Sequence, residues 1–103
     1  MPKVPQAADA GSLIVGLGNL VKKTERDLLG ERKEIGAAEI RVHNFEKLSR
    51  DPRFGKQYSE GLKSARVALQ RAQKRGKRLA AQLEEVRALL EHALDLAERL
   101  RKA

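Results

Sequence analysis

The residues with the clearest chemical potential are a run of lysines and arginines. Seven basic residues and no acidic one lie between Glu60 and Glu84. They are Lys63, Arg66, Arg71, Lys74, Arg75, Lys77 and Arg78. Clustered cations attract phosphate backbones, anionic lipid or acidic proteins without choosing among them. Together with the formal net charge of +8, the run favours a polyanionic partner, and we expect nucleic acid first.

Other chemistry is poorly represented in the sequence. Without cysteine the chain can form no disulfide, thiolate nucleophile or cysteine-ligated zinc site. His43 and His92 are expected on different helices at distant levels, so they form neither a metal pair nor a catalytic couple. The segment Gly16–Asn19 has glycines but lacks the lysine and the preceding strand of a phosphate loop. We therefore expect a protein that is not an enzyme and has no catalytic residues, metal site, cofactor or small-molecule substrate.

Two heptad repeats predict the elements that position the cations. In two runs, residues recur at alternating spacings of three and four. The first run is Ile14, Leu17, Val21, Thr24, Leu28, Glu31, Ile35, Ala38, Val42 and Phe45. The second is Leu62, Ala65, Leu69, Ala72, Gly76, Leu79, Leu83, Val86, Leu90 and Ala93. Seventeen of these 20 positions are apolar in a chain with 41% apolar residues, so the pattern indicates a coiled-coil seam.

A chain reversal is predicted between the two runs. Pro52 disfavours helix at Asp51, and Asp51 can cap a following helix that has proline in its first turn. The prolines and glycine before residue 12 indicate a tail. The predicted boundaries are a flexible tail over 1–11 and a helical hairpin over 12–103, with helix 1 over about 12–50, the turn over about 51–55 and helix 2 over about 56–102.

Folding back at this turn places residues whose numbers sum to 107 opposite each other. Large side chains then face small ones, which keeps the volume between the helices even. Examples are Ile14 with Ala93, Ile35 with Ala72, Ala38 with Leu69 and Val42 with Ala65. The sequence thus predicts an all-α fold, a long antiparallel two-helix coiled-coil hairpin.

The same register predicts which cations are free. It brings Glu34 near Arg75 and Glu39 near Arg66, and these carboxylates would neutralise two of the seven basic residues. The remaining five are the predicted nucleic-acid-binding residues: Lys63, Arg71, Lys74, Lys77 and Arg78. A solvated face without a partner is the alternative interpretation, because no base-stacking aromatic residue lies among them.

Glu31 is the one charged residue in the seam, and the register places it opposite Gly76. The glycine leaves room for the glutamate stem while its carboxylate reaches water near Arg32, Lys77 and Arg78. We interpret this layer as a device that fixes register, as polar seam residues do in other coiled coils. A functional notch is the alternative.

Six apolar residues lie off the seam, near the end of the hairpin where the termini meet. They are Leu13, Val15, Leu20, Leu89, Leu94 and Leu96. A two-helix hairpin cannot bury them all, so we expect a homo-oligomer interface that gives a dimeric four-helix bundle. A partner protein at this surface is the competing explanation.

The turn supports a second functional hypothesis. Arg53 and Phe54 are expected to be exposed there and could contact a larger complex. The chain would then be a protein-interaction hairpin, namely a structural subunit, a secretion-associated protein or an inhibitor that binds through its turn or apolar base.

The longest apolar stretch, Leu13 to Leu17, is far shorter than the roughly 18 residues of a membrane span. No feature requires an oxidising compartment, so we expect a cytoplasmic protein.

Overall fold

Two long α-helices make up the described chain. A computed structural model describes the backbone of residues 7–102 and the side chains of residues 11–102. Helix α1 spans Ala7–Ser49, and helix α2 spans Gly55–Lys102. No strand occurs within these residues. The predicted fold class, an all-α helical hairpin, is confirmed.

The start of α1 differs from the sequence prediction. The helix begins at Ala7, five residues before the predicted start, so residues 7–11 are helical and do not belong to a tail. Alanine is the strongest helix former and occupies positions 7, 8 and 10, which offsets the cost of about 1 kcal/mol for glycine at position 11. Residues 1–6 of the predicted tail lie outside the described residues.

The turn is held by local hydrogen bonds. The backbone N–H of Asp51 donates to the Leu48 carbonyl at 3.1 Å, and the Asp51 carboxylate accepts the N–H of Arg53 at 2.8 Å. Asp51 therefore stabilises the turn itself. It does not cap α2, although the sequence had suggested that role. Helix α2 begins at Gly55, where a Cβ atom would lie 2.8 Å from the Ser49 carbonyl oxygen. That close approach favours glycine at the first residue of α2.

The core of the hairpin is the predicted seam. Among the described side chains, the buried residues all occupy seam positions. They are Thr24, Leu28, Ala38, Ala65, Ala72, Gly76, Leu83 and Ala93. Every other seam position is half-buried, and none is exposed. The heptad phase is therefore confirmed over both runs, and residues outside it form the surface.

The hairpin divides into two compact units. The turn unit is residues 27–79, and the terminal unit consists of the described residues up to Arg26 and from Ala80 onward. In the turn unit, the Phe45 ring lies 6.5 Å from the Tyr58 ring between centroids and covers Gly61. In the terminal unit, the buried Thr24 hydroxyl donates to the Leu20 carbonyl at 2.8 Å, which satisfies this polar side chain within the core.

Candidate functional site

The positive charge of the chain is concentrated in the turn unit. This unit contains fourteen lysines and arginines and seven acidic residues, which gives a formal charge of +7. The rest of the chain, residues 1–26 and 80–103, contains eight lysines and arginines and seven acidic residues, which gives a formal charge of +1. The two values add to the net charge of +8. The excess charge therefore belongs to the unit that contains the predicted binding residues.

Arg75 is neutralised by two carboxylates of α1. Its Nε donates to Glu31 Oε1 at 2.8 Å, and its Nη2 lies 3.6 Å from Glu34 Oε2. The predicted pair with Glu34 therefore forms, and Arg75 also binds the seam glutamate for which Arg32, Lys77 and Arg78 had been suggested. Only 13% of the Glu31 side chain is exposed. Its ion pair therefore supports the register-fixing interpretation of this layer.

Gly76 gives the Glu31 layer the space that the sequence predicts. A Cβ atom at position 76 would lie 3.0 Å from the Ile35 Cδ1 atom and 3.9 Å from the Glu31 Cγ atom. The side chains of Glu31 and Ile35, from two successive layers of the seam, thus fill the space that a larger residue at position 76 would need. The glycine position is explained by packing within the hairpin.

Arg66 forms an ion pair with Glu46. The sequence had predicted Glu39 as its partner. The distance from its Nη2 atom to Glu46 Oε1 is 3.5 Å. Helical side chains lean toward the N-terminus of their own helix. Arg66 leans toward the turn and Glu46 leans back to meet it, whereas Glu39 leans away. The predicted partner was wrong, but Arg66 is partly neutralised as expected.

The other five basic residues of the run are exposed and uncompensated. These are Lys63, Arg71, Lys74, Lys77 and Arg78, all with exposed side chains. Among the side chains described over 11–102, no carboxylate oxygen lies within 4.0 Å of any of their cationic nitrogens. The geometry thus separates the five from Arg66 and Arg75 in the way the sequence predicts.

The five cations share one surface of α2. The helix turns about 100° per residue, so they fall within an arc of about 140° that faces away from the seam. From 63 to 78 the same arc contains three further residues, Ser64, Val67 and Gln70, and no acidic residue. At 1.5 Å per residue the arc extends for about 22 Å. We call these eight residues the basic face.

Ser64 and Gln70 are parts of the basic face that charge counting overlooked. Both side chains are exposed and lie between the cations. Hydroxyl and amide groups commonly donate hydrogen bonds to phosphate oxygens beside lysine and arginine. Their position on the arc is the signal that could have identified them from the heptad phase.

The turn presents the predicted contact residues Arg53 and Phe54. Phe54 is 48% exposed, and the Arg53 guanidinium carbon lies 5.9 Å from the centre of its ring. The Arg53 Nε atom also lies 3.7 Å from Asp51 Oδ1. Arg53 therefore covers part of the ring by a cation–π contact, and the rest of the ring faces solvent.

The six predicted interface residues are all exposed in the terminal unit, but they do not form a single surface. Leu13, Leu20, Leu89 and Leu96 occupy the heptad position that precedes the first seam residue of each repeat. In an antiparallel pair these positions meet on one side of the seam. We call these four residues the leucine face; their exposed fractions run from 42% to 57%. Val15 and Leu94, at other heptad positions, lie on the opposite side.

The two histidines of the chain lie on different helices. His43 and His92 are exposed, and within that part of the chain no group of three or more His, Cys, Asp or Glu residues is placed to hold a metal ion. Over the same residues, neither helix has an apolar segment long enough to cross a membrane.

Comparison with protein-family models, curated proteins and solved structures found no match to this chain.

Proposed function

We propose that this chain is a non-enzymatic hairpin that binds a polyanionic partner, nucleic acid, through the basic face of α2. The supporting observation is that five lysines and arginines occupy one arc of the helix, with no carboxylate within 4.0 Å among the side chains of residues 11–102. Concentrated like charges repel each other in the free protein, and phosphate groups would remove that repulsion. Binding would also release the counterions condensed on the nucleic acid, which drives association.

The composition of the basic face favours contact with the phosphate backbone over contact with bases. The face contains long cationic side chains, one serine and one glutamine, and no aromatic ring on which a base could stack. Its length of about 22 Å corresponds to about six phosphates along one strand at 3.4 Å each. We therefore propose binding with little sequence preference. The cytoplasm, expected from the cysteine-free sequence, is the proposed place of action.

The test is the salt dependence of binding to a fluorescent 20-base-pair duplex of arbitrary sequence. Five phosphate contacts predict a slope of log K against log salt of about −4.5, or about 500-fold weaker binding at 200 mM than at 50 mM salt. The variant R71E/K74E/R78E keeps only two of the five cations. It should bind at least 100-fold more weakly at 50 mM salt, with a slope shallower than about −2.

A matched control separates the basic face from net charge. The variant R99E/R101E/K102E also changes the net charge by six but alters residues outside the basic face. We expect it to lose far less affinity than R71E/K74E/R78E, with helicity of both variants checked by circular dichroism. Equal losses in the two variants, or no duplex binding by the unmodified protein at 50 mM salt, would reject the proposal.

Exposure of Phe54 favours a second candidate, a protein-interaction hairpin that contacts a larger complex through its turn. An exposed aromatic residue beside an arginine at a turn is the kind of group that anchors protein interfaces. In a pull-down, Phe54→Ala should abolish capture of a partner, whereas Ile40→Ala, at another exposed apolar residue of the turn unit, should not. Retained capture by Phe54→Ala would reject this candidate.

A further inference from the structure

The leucine face consists of two layers of apolar residues on one side of the terminal unit. The antiparallel register puts Leu13 level with Leu96 and Leu20 level with Leu89, and each retains between 42% and 57% of its surface. Exposed leucines scattered singly are ordinary, but four on one side, in two successive heptad layers, favour a covering partner. The apolar residues exposed in the turn unit are dispersed over several heptad positions and form no such set.

We propose that the leucine face binds the same face of a second copy of the chain, with α1 of each copy lying on α2 of the other. The twofold axis runs parallel to the helices in this arrangement. Leu13 then contacts Leu96 of the second copy, and Leu20 contacts Leu89 of the second copy, so each layer joins four leucines. The result is an antiparallel four-helix core made from identical surfaces, as a twofold interface requires.

The charges beside the leucine face select a second copy as the occupant and fix this arrangement. Lys23 on α1 and Glu85 on α2 both occupy the heptad position next to the leucines on this side, at one level of the hairpin. Neither forms an ion pair with any side chain described over 11–102. With the axis parallel to the helices, Lys23 faces Glu85 of the second copy, and Glu85 faces Lys23 of the second copy. The complementarity is therefore reciprocal.

The alternative dimer, with α1 on α1 and α2 on α2, does not use these charges. A twofold axis across the helices would pair the leucines but would carry Lys23 and Glu85 to opposite ends of the interface. The proposed arrangement uses all four leucines and both charges. It does not depend on nucleic-acid binding, so either proposal can fail alone.

Sedimentation velocity of the unmodified chain at 5–200 μM tests the dimer. We expect a species of twice the 11.5 kDa chain mass. Leu89→Lys should leave a monomer with unchanged helicity, because that side chain is already 57% exposed in the hairpin. Val15→Lys, at a residue 65% exposed on the other side, should remain dimeric. A monomer at 200 μM for the unmodified chain, or equal disruption by both variants, would overturn the proposal.

Charge exchange tests how the two copies are arranged. Lys23→Glu and Glu85→Lys should each weaken the dimer about ten-fold, because each change places like charges opposite one another twice. The double variant K23E/E85K should restore the original dissociation constant. Failure of the double variant to recover would exclude the arrangement with α1 on α2, even if a dimer forms.

Discussion

The turn unit and the terminal unit share one kind of core and have different surfaces. In both, the core follows the same heptad seam, and the buried residues among the described side chains lie only at seam positions. Outside the seam, the turn unit has a charge of +7 and dispersed apolar residues, whereas residues 1–26 and 80–103 have a charge of +1 and contain the leucine face. The seam thus determines the fold, while the surfaces separate two proposed binding roles.

If the seam packs equally well in the two units, truncating a buried seam residue should lower the free energy of unfolding by the same amount in either unit. Leu28→Ala in the turn unit and Leu83→Ala in the terminal unit each remove a side chain that is 6% exposed. We expect each to lower the free energy of unfolding by about 2–4 kcal/mol, measured by urea denaturation at one protein concentration. Leu29→Ala, beside Leu28 but exposed, should change it by less than about 0.5 kcal/mol. A negligible cost in one unit would contradict the equivalence.

Glycine substitutions sharpen the comparison by separating packing from helix propensity. A Cβ atom at Gly61 would lie 2.6 Å from the Phe45 Cε1 atom, so Gly61→Ala should destabilise the hairpin by about 1–2 kcal/mol. At Gly30, also in the turn unit, a Cβ atom would meet nothing within 4 Å. Gly30→Ala should therefore stabilise the hairpin by about 0.5–1 kcal/mol. Thermal and urea unfolding of both variants would show the opposite signs, and a common sign would contradict the packing at Gly61.

Ion pairs between the helices should give the smallest effects. A double-mutant cycle between Glu46 and Arg66 should give a coupling free energy of about 0.2–1 kcal/mol, and the cycle between Glu39 and Arg66 should give about zero. Glu25 and Arg87, 3.0 Å apart in the terminal unit, should resemble the first pair. A larger coupling free energy between Glu39 and Arg66 than between Glu46 and Arg66 would contradict this explanation. It would show that the direction in which helical side chains point does not decide which ion pairs form.

Most of the fold could be predicted from the sequence because the seam is periodic and the turn contains a proline. The rule that facing residue numbers sum to 107 pairs Thr24 with Leu83, and both residues are buried. Helix α1 starts earlier than the sequence predicts, because the helix propensity of the alanines before Gly11 outweighs the cost of that glycine. The role of Asp51 was also missed, since a carboxylate before a proline can either cap a helix or close a turn.

The candidate surfaces required more than periodicity. The five free cations could be identified from the sequence, because only opposite charges at nearby levels remove members of the run. The partner of Arg66 could not, because it depends on the direction in which side chains lean and not on the level of their Cα atoms. The placement of Val15 and Leu94 on the side opposite the leucine face, in contrast, does follow from the sequence, through the heptad position of each residue.

The central claim is that nucleic acid contacts the turn unit and leaves the terminal unit free. Nuclear magnetic resonance of the isotope-labelled chain, titrated with a 12-base-pair duplex, tests it residue by residue. The account predicts that amide and side-chain shifts change over 63–78 and stay constant over 11–26 and 84–102. Shift changes of equal size in both units, or changes confined to the terminal unit, would contradict it.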